Sequence, residues 1–250
     1  MSSEKAEAKP KSRLRRIGRA LLTGTVWTLA LLFVAGTIWK YSGSNQWELL
    51  HDRKGVKVWT LKAPGSELVQ VKGTVVVRAT LAKVIALMQD DELCTDVGCY
   101  GAKAIDRVDA QLEHAAFRYD LPSPFKPREF LIRQHLFQHP QTKQVFLEYS
   151  AAADKIPADD CCFRVTHMKN SWIFTPLPDG KVEILYEVNM SEGGFLPYPL
   201  LNKIRGQSMY YILRNMQKWV DKEKYRNAHY AFLDETPSPV AVPKQQALSQ

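Results

Sequence analysis

The sequence predicts an α+β protein in which a curved antiparallel β-sheet wraps around a long C-terminal α-helix, preceded by one N-terminal transmembrane helix. Three observations carry this. Residues 20–39 form an uncharged apolar run. Between residues 56 and 190, short apolar or alternating segments recur, parted by turn signals. From Leu200 to Lys224, apolar residues return at spacings of three and four. The 250 residues are 45% hydrophobic and 24% charged, which excludes collagen-like, coiled-coil and wholly disordered classes.

Residues 1–19 carry seven Lys or Arg against two Glu, so they hold +5 of the formal +8. The remaining +3 is spread over the rest of the chain and gives no electrostatic footprint for nucleic acid. Twenty residues at about 1.5 Å each make about 30 Å of helix, the thickness of a bilayer core. With the basic arm in front and Trp39 at its far end, residues 20–39 read as a transmembrane helix. The arm at 1–19 is then cytoplasmic, and everything after Lys40 lies on the non-cytoplasmic side, periplasmic or extracellular. The competing reading is a cleaved signal peptide that leaves a secreted or periplasmic domain. The run is longer than the usual apolar region of a signal peptide, and Val34-Ala35-Gly36 is a loose cleavage match, which favours an uncleaved signal anchor. Residues 40–45 read as a linker and 46–231 as one domain. Residues 232–250, with three prolines and few large apolar groups, read as a disordered tail.

Within the domain, Val56–Leu61 follows the turn signal Asp52-Arg53-Lys54-Gly55. Residues 68–77 then alternate, with Val69, Val71, Gly73 and Val75 on one face. Thr80 suits the N-cap of a short helix with Leu81, Val84, Ile85 and Met88 on one side. Strand-like runs follow at 103–108, 114–120, 130–137, 144–150, 162–169, 171–176 and 181–190, the last two parted by Pro178-Asp179-Gly180. The closing helix places Leu201, Ile204, Ser208, Ile212, Met216 and Trp219 on one stripe, with Lys203, Arg205, Arg214, Lys218 and Lys222 mostly off it. Such a helix against one face of the sheet encloses a packed core or a cavity, and Met209, Met216 and Tyr210-Tyr211 suit an adaptable lining.

The chain has four cysteines. Cys94 and Cys99 lack the spacing of a zinc site, and no metal-ligand or redox motif is present. Adjacent Cys161 and Cys162 at a strand start would face opposite sides. A structural disulfide is expected, joining Cys94 to Cys99 or one of these to Cys161 or Cys162, with free buried thiols as the remaining reading.

Four stretches resemble START domains, the steroidogenic-acute-regulatory-related lipid-transfer family, as a membrane-anchored bacterial-type member. They are Trp47-Glu48-Leu49-Leu50 with Lys54-Gly55-Val56-Lys57-Val58-Trp59; Pro122-Ser123-Pro124-Phe125-Lys126-Pro127-Arg128-Glu129-Phe130; Arg164 with Trp172-Ile173-Phe174-Thr175-Pro176 and Asp179-Gly180-Lys181; and Gly193-Gly194-Phe195-Leu196-Pro197 through Leu201-Asn202. Together they span residues 46–226 in order. The resemblance implies a helix-grip fold that holds a lipid or sterol-like hydrophobic ligand, for transfer or sensing beside a membrane, with no cofactor. It places Trp172, Leu196, Ile204, Ser208, Met209, Ile212 and Met216 along the cavity. Gly193 and Gly194 fall in a loop at its mouth, and residues 151–160 form a second mouth loop. For the acidic group and arginine that sterol-binding members carry inside, the nearest candidates are Asp120 or Glu148 and Arg133. Gln134 is a register alternative to Arg133, because a shift of one residue changes the face of a strand. Arg164 is a further candidate, needing a carboxylate partner wherever it is buried. Arg128 and Glu129 read as structural.

No catalytic set is apparent. Six histidines are present without a G-x-S-x-G, H-E-x-x-H or glycine-rich phosphate motif. His135 and His167 lie in strand-like runs and are the residues a cyclase-like or hydrolase-like activity on the same fold would call on. A ligand-gated adaptor that senses without transferring is the other alternative.

Overall fold

A computed structural model describes residues 11–109, 111–194, 196 and 198–239. Residues 1–10 of the basic arm and residues 240–250 of the expected tail lie outside the described residues, as do Phe195 and Pro197 of the mouth loop. Helix α1 (Lys11–Tyr41) extends the apolar run at both ends. Strands β1 (Trp47–Arg53), β2 (Val56–Leu61) and β3 (Gln70–Arg78) lead to helices α2 (Leu81–Met88) and α3 (Glu92–Asp96). Then come β4 (Cys99–Arg107), β5 (Leu112–Tyr119), β6 (Arg128–Gln138), β7 (Val145–Ala151), the short β8 (Phe163–Arg164), β9 (His167–Leu177), β10 (Lys181–Val188) and β11 (Met190–Ser191), before α4 (Tyr198–Val220). The main sheet runs β1-β2-β3-β10-β9-β7-β6-β5-β4, antiparallel throughout, with β11 beside β9 and β8 parallel to β6.

Alternation in the strands builds the inner face. Val71, Val75 and Val77 of β3 face the same side as Val182, Ile184 and Val188 of β10 and Trp172 and Phe174 of β9, all buried. Thr80 caps α2 by accepting from the Lys83 N–H at 3.3 Å. Helix α4 lies against β2 and β3. Its close approach depends on Gly73: a Cβ there would stand 2.5 Å from Leu213 Cδ1 and 3.0 Å from the Lys57 carbonyl.

Three expectations are corrected. The buried stripe of α4 runs through Leu201, Arg205, Met209, Leu213, Met216 and Val220, while Ile204 and Ser208 are exposed and Ile212 is half-buried. A charged residue on the inner face interrupts the apolar pattern, so the sequence displaces the stripe by a fraction of a turn. The runs at 162–169 and 171–176 are not parted at Asn170, and of the first only Phe163–Arg164 forms a separate strand. Residues 167–177 form one strand, and Asn170, which looks like a break, is buried because its Oδ1 accepts the Asn189 N–H at 3.0 Å. Nor does the chain leave the domain at 232. The Glu235 carboxylate accepts from the Leu81 and Ala82 N–H groups at 2.7 and 2.9 Å at the start of α2, where free amides and the helix dipole favour an anion. Lys143 pairs with Asp234 at 2.7 Å, and the Ser238 N–H donates to the Pro176 carbonyl at 2.8 Å.

Along α1 the side chains from Arg15 to Trp39 are exposed, and the helix is long and apolar enough to cross a membrane.

Gly73→Val should destabilise the domain by about 1–3 kcal/mol, the usual cost of overpacking. Urea unfolding of the full chain in detergent, followed by tryptophan fluorescence, measures the change, and an unchanged midpoint would show that α4 does not depend on this contact.

Candidate functional site

The inner face changes character from β3 toward β5. At the β3 side it is filled by α4. Toward β5, β6 and β7 it carries Ala115, Phe117 and Tyr119; Phe130, Ile132 and Gln134; and Tyr149 and Ala151, placed side by side by the strand register. Phe117 and Phe130 stack at 4.8 Å, and Tyr119 meets Phe130 edge-on at 5.9 Å. Trp172 lies flat on Tyr186 at 3.7 Å. Val165, Met168 and Met190 close this second cluster.

Tyr119, Tyr149 and Tyr186 converge there. Each is half-buried, and the inner face they share, beside the part that α4 covers, forms the candidate chamber. Burial pushes the Tyr119 phenol up to about 12. Burial raises Tyr149 and Tyr186 further, helped by Glu113 in the first case and by the neighbouring phenols in the second. All three are neutral hydroxyls at ordinary pH. The Tyr149 hydroxyl has no hydrogen-bond partner among the described residues. Beside it, Gln134 Nε2 donates to Glu113 Oε1 at 3.1 Å, and Arg107 holds the other oxygen of that carboxylate at 3.0 Å.

One end of this chamber is the mouth. Arg128 donates to the carbonyls of Glu192 (2.8 Å) and Gly193 (3.0 Å) and lies over the Phe163 ring at 5.0 Å. Gly193 has φ +64°, and a Cβ on it would overlap the Phe163 ring, so the turn requires glycine for both reasons. Arg205 crosses from α4 to bond Glu192 and the carbonyls of Val69 (3.0 Å) and Met190 (2.7 Å). Beside it opens a cleft of about 310 Å³ lined by Ser66, Glu67, His167, Tyr198 and Arg205, with Met190 common to the cleft and the chamber cluster. The second mouth loop is held by Arg164, which bonds Glu129 Oε2 at 2.6 Å and the carbonyls of Ala153, Ile156 and Pro157. Arg118 joins the same carboxylate at 3.1 Å.

Of the residues singled out from sequence, Gln134 and Trp172 face the chamber. Leu196 is buried next to the mouth loop that Gly193 and Gly194 form, and Met209 and Met216 lie in the core under α4. The others lie elsewhere. Arg133 and Glu148 point to the outer face and are exposed, because strand alternation gives the inner positions to Gln134 and Tyr149. Asp120 accepts the Tyr100 hydroxyl on the surface at 2.8 Å. Arg164 serves the loop rather than the chamber, and Ile204, Ser208 and Ile212 lie off the buried face of α4. Glu113, Tyr149, Asn170 and Tyr186 were missed. The parity of Ala115, Phe117 and Tyr119 puts Glu113 on their face, but the cross-strand partner that brings Gln134 to it is a matter of register.

A disulfide joins Cys94 to Cys99, tying α3 to β4. Cys161 and Cys162 are bonded to each other, because they lie in a turn before β8 and not in a strand. His135 stacks on Phe137 at 4.9 Å with the outward parity of β6, and His167 borders the cleft. Among the described residues, no group of His, Cys, Asp and Glu is placed to hold a metal ion.

The large antiparallel sheet with the helix packed on its inner face defines a helix-grip domain. The chain has the fold of START lipid-transfer domains. It is similar to the STAR-related lipid transfer protein of Xanthomonas axonopodis, with a TM-score of 0.64 at 18% identity over 70% of this chain and 99% of that one. It is also similar to human StAR-related lipid transfer protein 5, with a TM-score of 0.62 at 17% identity over 81% and 96%. An uncharacterized protein of Pseudomonas aeruginosa is 24% identical over 82% of this chain and 99% of its own length. No family model matches the chain.

Burial alone would raise the Glu129 carboxyl, but the hydrogen bonds and charges of Arg164 and Arg118 outweigh it and hold the group below its ordinary value. Its contribution to stability is therefore present above the unfolded carboxyl's pKa of about 4.3 and lost as pH falls through the lower folded value. Glu129→Gln should cost about 3–5 kcal/mol at neutral pH, since it leaves Arg164 without its counter-charge, and should flatten the acid limb of the stability profile. Urea midpoints measured from pH 7 down to pH 3 check both outcomes.

Proposed function

We propose that the chain is a single-pass membrane protein that binds one lipid or other hydrophobic ligand in the chamber, for transfer or sensing on the non-cytoplasmic side. The observation that carries this is the aromatic and aliphatic inner face of β5, β6 and β7, beside the part of the sheet that α4 covers. The Tyr149 hydroxyl, without a hydrogen-bond partner among the described residues, would bond a ligand's polar group. The apolar wall would stabilise a chain or ring system by about 25 cal/mol per Å² removed from water. Neutral phenols and the Gln134 amide suit an uncharged polar head. The START-like fold supports the reading, since relatives of that fold carry lipid transfer in their names. The basic residues before the apolar stretch of α1 support a cytoplasmic N-terminus. Binding without chemistry is proposed, because Gln134 and Glu113 are bonded to each other and His135 faces outward.

Photo-crosslinking tests it. Cells fed a diazirine fatty acid and irradiated should yield full-length protein carrying lipid adducts on peptides from β5, β6, β7 and β9. Ala151→Trp, which fills the chamber, should reduce those adducts at least several-fold while circular dichroism shows the fold retained. Adducts confined to α1, or unaffected by Ala151→Trp, would overturn the assignment.

A further inference from the structure

Residues 40–45 read as a linker in the sequence, yet in the structure they are wound onto the domain. The Gly65 N–H donates to the Lys40 carbonyl at 2.8 Å, and the Asn45 N–H donates to the Lys62 carbonyl at 3.1 Å. Lys62 reaches back so that its ammonium donates to the carbonyls of Lys40 (3.2 Å) and Ser42 (2.9 Å) and lies 5.1 Å from the Trp39 ring centre. Gly43 sits at φ +127°, where a Cβ would overlap the Lys62 carbonyl, so the path is tight as well as bonded. One atom links this joint to the gripping helix: the Glu67 carbonyl accepts from Trp39 Nε1 at 3.3 Å and from Asn202 Nδ2 at 3.0 Å.

The antiparallel register puts this joint at a particular end of the domain. The end of β2, the start of β3, the start of β9, the end of β10 and the start of β6 all lie there. That is also where Arg128, Gly193, the cleft and the first turn of α4 lie. Trp39 and Tyr41 close the apolar stretch of α1 with the aromatic side chains that settle at a membrane–water boundary. Leu200, on the first turn of α4 two residues before Asn202, is 53% exposed at the same end, and Phe163 over the mouth loop is 39% exposed. The opposite end carries the β4–β5 turn at Val108.

We propose that α1 is a strut docked on the mouth end of the domain, which turns the mouth onto the bilayer that α1 itself crosses, so that ligand is exchanged with that bilayer and not carried to another. The inference rests on α1 spanning a membrane, and it deepens the ligand-binding reading by naming the lipid surface that supplies the ligand. The partner is the outer face of the protein's own membrane, met by Leu200 and Phe163 beside the mouth.

The test uses the full chain in phosphatidylcholine vesicles that contain doxyl-labelled phosphatidylcholine. All four native cysteines are paired, so one introduced cysteine is labelled selectively with an environment-sensitive nitrobenzoxadiazole probe. A probe at Leu200→Cys should be blue-shifted and quenched at least threefold more than one at Val108→Cys. Adding Lys62→Ala to loosen the joint should remove at least half of that difference. Equal quenching at the two positions, or no quenching at Leu200→Cys, would overturn the docking; an unchanged difference with Lys62→Ala would overturn the role of the joint. Release of the chain by carbonate would overturn both the anchor and the docking. Position-dependent quenching without lipid adducts in the chamber would leave the docking standing and fault the binding reading alone.

Discussion

Arg205 is where helix, sheet and mouth loop meet. Its guanidinium is buried, and a buried cation is tolerated only if its donors find acceptors and the charge finds an opposite one. Val69 on the approach to β3, Met190 on β11 and Glu192 before the mouth glycines accept from four of its five N–H donors, and Glu192 supplies the opposite charge. Removing any one would leave a desolvated donor, so α4 is fixed in rotation and in height along its axis. An apolar residue at this position could slide; a forked cation with fixed partners cannot. Held there, α4 covers β2 and β3 and leaves the inner face of β5, β6 and β7 to the aromatic cluster and the chamber.

The same residue explains what was legible in the sequence and what was not. Strand β2 and the inner face of β3 follow from period-two alternation, and Thr80 from cap chemistry, because these signals are local. The stripe on α4 is displaced because pattern reading places a charge outside, whereas Arg205 belongs inside with a partner thirteen residues away. Asn170 hides the continuity of β9 in the same manner, its amide being satisfied by a backbone N–H nineteen residues on. The strap at 234–238 has the composition of a disordered tail, and its order comes from Glu235 meeting the free amides of α2, more than 150 residues earlier. The chamber was legible as an expectation of the fold. Its polar groups were not, because one residue of register decides between Arg133 and Gln134, and register is set by pairing across strands.

The chain as a whole keeps charge and chamber apart. Most of the excess positive charge precedes the apolar run. The chamber is kept neutral by a different means: Glu113 is held by Arg107 and Gln134, and burial raises the pKa of each phenol so that it stays protonated. Under the proposed binding reading, such an interior would discriminate against a charged head by desolvation while offering hydrogen bonds to an uncharged one.

Lys62 decides whether the end of α1 is loose or fixed against the domain. An ammonium has three N–H donors, and the carbonyls of Lys40, Ser42 and Ser66 accept from it. No carboxylate bonds it directly, and partial burial lowers its pKa, with Glu67 opposing the shift from a distance. The joint therefore needs the charged form, since a neutral amine has one donor fewer, and it needs the tetrahedral fan of an ammonium, which a planar guanidinium does not reproduce. Three backbone carbonyls from two segments, gathered on one cation, hold the end of α1 against the β2–β3 loop. A flexible leash would leave those carbonyls to water and Gly43 free to be any residue. Both the cation and the glycine are placed as a fixed joint requires.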